Sequence, residues 1–441
     1  MRFSIKFKKD TLILLFYFLC IIFSGSILLS LPLASRQGGL RYIDALFTAA
    51  SAVCVTGLTV IDVPSTLTRA GQAVLMVLIQ MGGLGIIAFY TLYLVLPRRR
   101  ISIVTRGLAG DYSVPSIEFR TRRIIAKIVV WTAAFELTGA FIVWLRLSQH
   151  GYTFFDAIFH AISAFCNAGF STLRSGMESF RDDYLMNIVT MALIVCGGLG
   201  FIVLEDVARV IRGKKHHLNY HSTIVLRTTA ALIVIGAVLF FLLEKDHAYR
   251  GLSGGAKVLA SCFQSITPRT AGFDTVPQAN LSTTSQLLTI LLMFIGASPA
   301  STGGGIKTTT FYLLLLLAFR FKNDGDLVDR NRTIVPSTLL RATTYAVRAV
   351  ILVIIVSAVV LFAERAHGRL FGIENVVFET VSAFGTVGLS IGITPMLSDV
   401  SKLALICTMF MGRVGLFVLA ISYSKFSPKP YAEAPRADIL L

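Results

Sequence analysis

The stretch DALFTAASAVCVTGL at 44–58 returns without gaps as DAIFHAISAFCNAGF at 156–170 and as NVVFETVSAFGTVGL at 375–389, and a fourth copy, ASCFQSITPRTAGF at 260–273, aligns with one residue fewer. Each copy sets a Phe, then a Ser or Thr four residues on, then a closing Gly-Leu or Gly-Phe. Self-similarity of this kind marks an internally repeated architecture. The four glycines, Gly57, Gly169, Gly272 and Gly388, lie 112, 103 and 116 residues apart.

Working outward, the sequence on both sides of each copy is apolar. Runs at 11–33, 72–96, 124–145, 184–204, 223–243, 286–296 with 310–319, 343–363 and 403–423 each approach the roughly 20 residues that cross hydrocarbon. They make eight expected spans, the sixth interrupted. The whole chain of 441 residues is 55% hydrophobic and 15% charged, a balance that excludes a water-soluble fold and makes lipid the solvent. The first run follows Arg2, Lys6, Lys8 and Lys9 in the manner of a secretory signal, but its length and the many later spans favour an uncleaved helix.

Charge placement agrees with hydropathy. Of 41 Lys and Arg residues, 26 fall in 1–10, 97–128, 205–227, 319–348 and 425–441, which are alternate connections. The positive-inside rule puts that set on the cytoplasmic side, so a multi-pass protein of the cell membrane with both termini cytoplasmic is expected. The net charge of +17 therefore orients the chain and gives no reason to expect nucleic acid. The six cysteines show no C-x-x-C pair and no histidine at ligand spacing, so packing is their expected role.

Each glycine lies between an odd-numbered span and the next even one. About ten helix-compatible residues precede it, ~15 Å of helix, half of a hydrocarbon core of about 30 Å. A segment of that length reaches the midplane and returns, which keeps the units parallel and excludes inverted repeats. Non-helical backbone at membrane depth survives only buried in protein or lining water. The expected fold is thus an all-α polytopic membrane protein with four parallel units of span, pore half-helix and span around one central pore, as in a potassium channel. The boundaries read as repeat 1 at 1–96 (filter near 55–58), a connection at 97–123, repeat 2 at 124–210 (filter near 167–170), a connection at 211–222, repeat 3 at 223–319 (filter near 270–273, broken second span 297–307), a connection at 320–342, repeat 4 at 343–425 (filter near 386–389) and a tail at 426–441.

A bare cation entering apolar surroundings costs on the order of tens of kcal/mol unless something replaces its water. Around the glycines stand Val55-Thr56-Gly57, Asn167-Ala168-Gly169, Thr270-Ala271-Gly272 and Thr386-Val387-Gly388 without an acidic side chain, leaving backbone carbonyls as the available ligands. Glycine supplies the φ values that turn carbonyls inward. Four short helices ending there add about −0.5 charge each. Glycine as a mere packing residue is the competing reading, and four in one register weigh against it.

These residues resemble the Trk/Ktr/HKT superfamily of potassium transporters, most closely its KtrB-type membrane subunits, over nearly the whole chain. The second span of each unit adds the family's glycine signature, as MGGLGI at 81–86, CGGLGF at 196–201, GASPASTGGGIKTTT at 296–310 and MGRVGL at 411–416. The resemblance implies potassium as the transported ion at the filter residues and no covalently bound cofactor. It also implies a homodimer with one pore per subunit and a cytosolic nucleotide-binding ring of the KtrA type as partner. In the plant branch serine at the first filter position accompanies sodium transport, so Gly57 favours potassium. Trk-type relatives carry two further N-terminal spans, and only ten polar residues precede the first run here, which favours the Ktr branch.

Gly303, Gly304 and Gly305 should break the sixth span, each costing about 1 kcal/mol relative to alanine in a helix. The break falls below the third filter segment, where the resemblance places a gating loop; an inert kink is the alternative. Lys307 does not follow a glycine directly, so the run is not a phosphate loop. Arg413 stands where other units carry Gly83 and Gly198, as a barrier in the pore or as a structural partner of a buried acid or carbonyl. Glu136, deep in the third span, suits structural pairing or a second ion site. Glu205 and Asp206 suit capping, pairing with Arg209 or a regulatory cation. The basic connections at 97–123 and 320–332 suit lipid head groups or an acidic partner. Two rivals stand against a channel-like protein. A cation-coupled carrier with alternating access expects inverted halves and acidic relays. An enzyme would need an acid to orient His160 and Ser163, so no catalytic role is expected. Whether sodium couples to flux stays open.

Overall fold

The computed structural model describes residues 9–95, 121–320, 327–329 and 332–414. The readings for 1–8, for 97–120, for parts of the 320–342 connection and for the tail lie outside the described residues. The chain begins with α1 (Lys9–Ser30), the short α2 (Tyr42–Val53), the single turn α3 (Val63–Thr66) and α4 (Arg69–Val95). It continues with α5 (Thr121–Leu147), the short α6 (Phe154–Cys166), α7 (Tyr184–Leu199) and α8 (Phe201–Ile211). Then come α9 (Tyr220–Glu244), the short α10 (Gly254–Ile266), α11 (Thr283–Phe294) and α12 (Thr308–Arg320). An antiparallel hairpin of β1 (Leu327–Asp329) and β2 (Arg332–Ile334) precedes α13 (Pro336–Ala366), the short α14 (Ile373–Gly385) and α15 (Asp399–Val414).

Each of the four sequence copies forms a short helix followed by a turn. The short helices are interior: in α14 every residue from Phe378 to Gly385 is buried, and α2 is buried from Phe47 to Val53. The long helices show the reverse polarity outward. Val234, Ile235, Val238 and Leu242 of α9, with Ile351, Ile354, Ile355 and Phe362 of α13, are exposed. Contiguous exposed apolar surface on this scale needs a hydrocarbon solvent. Ile125–His150, Tyr220–Glu244 and Pro336–Ala366 are long and apolar enough to cross a membrane unbroken.

Several boundaries differ from the sequence reading. The expected span 184–204 breaks at Gly200 (φ +83°), and α7 and α8 meet at 105°. The cause is a neighbour: a methyl on Gly200 would lie 2.7 Å from the Pro299 oxygen, and the Phe201 N–H donates to the Ala300 carbonyl at 3.3 Å. The fifth and seventh expected spans start earlier, at Tyr220 and Pro336, the latter with a proline preset for the first helical turn ahead of the apolar run. They shorten the connections expected at 211–222 and 320–342. The break in the sixth span is present and longer than expected, running from Ile295 to Lys307 between α11 and α12. The loop is closed at its neck, where Gly296 N–H donates to Ile306 O at 2.8 Å and Ile306 N–H to Phe294 O at 3.3 Å.

The glycine signature has a steric cause. Methyls on Gly82, Gly197 and Gly412 would lie 2.1, 1.8 and 1.9 Å from the carbonyl oxygens of Val53, Phe165 and Phe384, near the ends of α2, α6 and α14. Each long helix thus presses on the last turn of the short helix before it. Outside the ring, the Arg69 guanidinium of α4 grips Asp156 of α6 through bonds of 2.6 and 3.0 Å, and Lys402 of α15 reaches Asp44 of α2 at 2.8 Å. Gly197→Ala should lower the melting temperature in detergent, since overpacking costs about 1–3 kcal/mol. Gly254→Ala, which meets nothing within 4 Å, should not.

Candidate ion-coordinating site

The four turns that follow α2, α6, α10 and α14 meet. A Cβ built on Gly57 would sit 2.5 Å from Ala168 O, one on Gly169 2.9 Å from Ala271 O, one on Gly272 2.3 Å from Val387 O, and one on Gly388 2.2 Å from Thr56 O. The contacts run from the first copy to the second, third, fourth and back to the first. All four are glycine because each leans on the carbonyl of the next segment.

Two residues before each glycine the backbone is also left-handed, with φ of +56° at Val55, +61° at Asn167, +77° at Thr270 and +51° at Thr386. Three of these are β-branched, for which this region is a true outlier. The glycines follow at +96°, +69°, +74° and +90°. Left-handed residues two apart, held by a helix terminus, are the means by which successive carbonyls face one direction. The predicted residues Val55, Thr56, Gly57, Asn167, Ala168, Gly169, Thr270, Ala271, Gly272, Thr386, Val387 and Gly388 therefore assemble at one place. A shell of carbonyl oxygens and four helix C-termini suits a dehydrated monovalent cation.

On one side the glycines line a cavity of about 600 Å³, which Asp62, Glu178 and Asp274 also line. Burial raises the Asp274 carboxyl above its ordinary range, opposed by the hydrogen bond from Gln278 and reinforced by the Glu178 charge. On the other side lies the loop 295–307. Gly304 N–H donates to Thr386 Oγ1 at 2.9 Å, and a methyl on Gly303 would meet Thr270 Oγ1 at 2.2 Å. Lys307 Nζ donates to Gly303 O at 2.5 Å, and Tyr345 OH to Gly305 O at 3.3 Å. Arg413, 3% exposed, donates to Thr302 O and, at 3.0 Å, to Gly82 O. The expected gate residues, Gly303, Gly304, Gly305 and Lys307 of the loop and Arg413 of α15, are thus contiguous with the ring.

Other expectations resolve away from the ring. Glu205 pairs with Lys127 at 2.9 Å and Arg209 at 3.2 Å, and Asp206 with Lys215 at 2.7 Å. His160 shares a 2.9 Å hydrogen bond with Thr190, and the cysteines are all free thiols.

Sequence reasoning missed a second polar row. The residue after the repeated Phe is Thr48, His160, Gln264 or Glu379, and all four are buried. Gln264 meets Gln278 and Thr289. Glu379 accepts from Ser390 at 2.5 Å, from Ile391 N–H at 3.2 Å and from Thr394 at 2.7 Å. The signal was available: a polar residue directly after the repeated Phe, four times.

A family model described as TrkH, cation transport protein, matches residues 2–433. The Ktr system potassium uptake protein B of Vibrio alginolyticus is 37% identical over 424 residues, covering 95% of this chain and 91% of that protein. The potassium/sodium uptake protein NtpJ of Enterococcus hirae is 36% identical, covering 92% and 90%. Among solved structures, the potassium transporter TrkH of Vibrio parahaemolyticus superposes with a TM-score of 0.78 at 22% identity, covering 95% of this chain and 86% of that one. At that identity the likeness speaks for the fold.

The repeated serine does not act alike in the copies. Ser51 and Ser382 accept hydrogen bonds from the Gly57 and Gly388 amides, both at 3.1 Å. Ser163 Oγ has no partner among the described residues. Removing an acceptor from a buried N–H costs about 1–3 kcal/mol. Ser51→Ala and Ser382→Ala should therefore weaken monovalent-cation binding by about tenfold in calorimetric titration, whereas Ser163→Ala should leave it near the parent value.

Proposed function

The chain belongs to the TrkH family of cation transport proteins, and from that premise we propose that it is the ion-conducting membrane subunit of a potassium uptake system. Four units of long helix, short helix and long helix surround one pore, and the turns at Gly57, Gly169, Gly272 and Gly388 are its potassium filter. The observation that carries this reading is the closed cycle of glycine-to-carbonyl contacts, since a ring of peptide oxygens is what a dehydrated potassium ion requires. The loop 295–307, bonded to Thr386 and Arg413, is the gate beneath it. An alternating-access carrier would need two inverted halves, whereas the contacts join four segments in one cyclic order, which favours four equivalent units.

The relatives' names extend the reading in two directions. A Ktr system implies a partner subunit, and a cytosolic nucleotide-binding ring acting on a homodimer fits the basic residues of the cytoplasmic connections. A potassium/sodium uptake relative makes sodium dependence part of the proposal. Rubidium uptake by proteoliposomes under an imposed potential, with and without sodium, tests it: saturable uptake inhibited by potassium is expected, and its absence would sink the reading.

Two variants probe the filter and the gate. A side chain on Gly57 would strike the Ala168 oxygen at a backbone φ of +96°. Gly57→Ser should thus cut the preference for potassium over sodium in the same liposomes; an unchanged preference would remove Gly57 from the filter. Deleting part of 299–307 should raise unregulated rubidium flux, because the loop's bonds to Thr386 and Arg413 disappear. Wild-type flux after the deletion would count against a gate.

A further inference from the structure

Glu136 lies midway along α5, 7% exposed, where a carboxyl persists only with a task. Its Oε2 accepts from Gln80 Nε2 of α4 at 2.9 Å. The Cys166 thiol completes the cluster, 3.4 Å from Gln80 Oε1 and 3.9 Å from Glu136 Oε1. A wall stands behind the sulfur as well, since a methyl on Gly83 would lie 2.7 Å from it. Three elements, α4, α5 and α6, therefore converge on one side chain.

That side chain is the last residue of α6, and the next is Asn167, where the backbone turns left-handed into the second filter segment. The second segment is also the copy in which the serine hydroxyl leaves the glycine amide without its bond: Ser163 Oγ has no partner among the described residues, whereas Ser51 and Ser382 hold Gly57 and Gly388. Its ties include the Ala168 N–H to Ser163 O bond at 2.7 Å, the Asn167 N–H to Ala164 O bond at 3.2 Å and the side-chain contact of Asn167 with Thr270 Oγ1 at 3.2 Å. A segment whose glycine amide lacks the serine bond is thus the one backed by a buried carboxyl.

We infer that Glu136 is a positioning residue for the filter: with the Gln80 amide it seats the Cys166 thiol and so fixes the turn that presents Asn167, Ala168 and Gly169. It touches no ion itself. The inference rests on the filter reading given above.

The ratio of initial rubidium to sodium uptake in proteoliposomes reads this role, because a residue that merely fills space changes protein yield and not selectivity. Glu136→Leu keeps the volume and removes the hydrogen bonds, and should lower the ratio by about five- to tenfold, the size of one lost buried hydrogen bond. Glu136→Gln retains an acceptor for Gln80 and should restore the parent ratio. Cys166→Ala removes only the thiol and should lower the ratio in the same direction, and Glu136→Leu combined with Cys166→Ala should lower it no further. A parent-like ratio in Cys166→Ala, a ratio in Glu136→Gln as low as in Glu136→Leu, or losses that multiply in the double variant would each overturn the inference. Cys166→Ala answers whether or not Glu136→Leu folds. Gly169→Ala separates the two levels: if it leaves the ratio unchanged the filter reading fails, and if it lowers the ratio while Cys166→Ala does not, only the role of Glu136 fails.

Discussion

A carbonyl oxygen stands 2.2 to 2.9 Å from where each of four glycines would carry a Cβ, and the rest of the molecule exists to hold backbone that close to backbone. The arrangement is locally unfavourable. Val55, Asn167, Thr270 and Thr386 sit in left-handed conformations at a cost of about 1–3 kcal/mol each. Nothing within the turns repays this, so the surroundings must. Short helices end there, next to the strained turns. Serines and a threonine bond the turns, as when Thr267 Oγ1 donates to Phe273 O at 2.7 Å. The long helices press on the last turn of each short helix through Gly82, Gly197 and Gly412. Electrostatics at the site and packing behind it are therefore one device, because loosening the wall lets the strained turn relax.

The quarters are similar in sequence, yet the structure is not fourfold, and the departures share a cause. The loop 295–307 lies against the ring, and the second and fourth quarters make room for it. In the second quarter Ser298 N–H donates to Gly198 O at 3.0 Å, and α7 ends at Gly200 against Pro299 and Ala300. In the fourth, Thr386 accepts from Gly304 and the Arg413 guanidinium bonds Thr302 O. The same guanidinium reaches Gly82 O of the first quarter. One inserted loop thus explains a bent helix, a buried arginine and a hydroxyl turned inward.

What the sequence made legible follows from this division. The ring was readable because four copies put glycine in one register, and self-similarity needs no partner to be seen. The broken sixth span was readable because three adjacent glycines weaken a helix by themselves. The bend at Gly200 was not. MGGLGI and CGGLGF differ little, yet Gly85 lies inside the unbroken α4 while Gly200 ends α7, and the difference is made by residues a hundred positions away. Arg413 was left between a barrier and a structural partner; the Thr302 and Gly82 oxygens it bonds are backbone carbonyls, which carry no signature in sequence. The polar row of Thr48, His160, Gln264 and Glu379 was written in the repeat, but the partners of the last three lie on other helices and loops.

Two cations beneath the ring, Arg413 buried and Lys307 partly buried, bear on what the loop can do. A stretch rich in free carbonyls could itself coordinate a passing cation, and the loop would then extend the filter. Here Lys307 Nζ takes the Gly303 oxygen and lies 3.5 Å from the Gly304 oxygen, Tyr345 bonds that of Gly305, and Arg413 that of Thr302. The oxygens that would attract an ion are engaged by the protein's own donors, two of them carrying positive charge. On the proposed reading the loop is therefore a closure and not a binding site. An ion can pass only after those bonds are exchanged for others, so on that reading opening is driven through the elements behind the donors: α12, which Lys307 precedes, α13 with Tyr345 and α15 with Arg413.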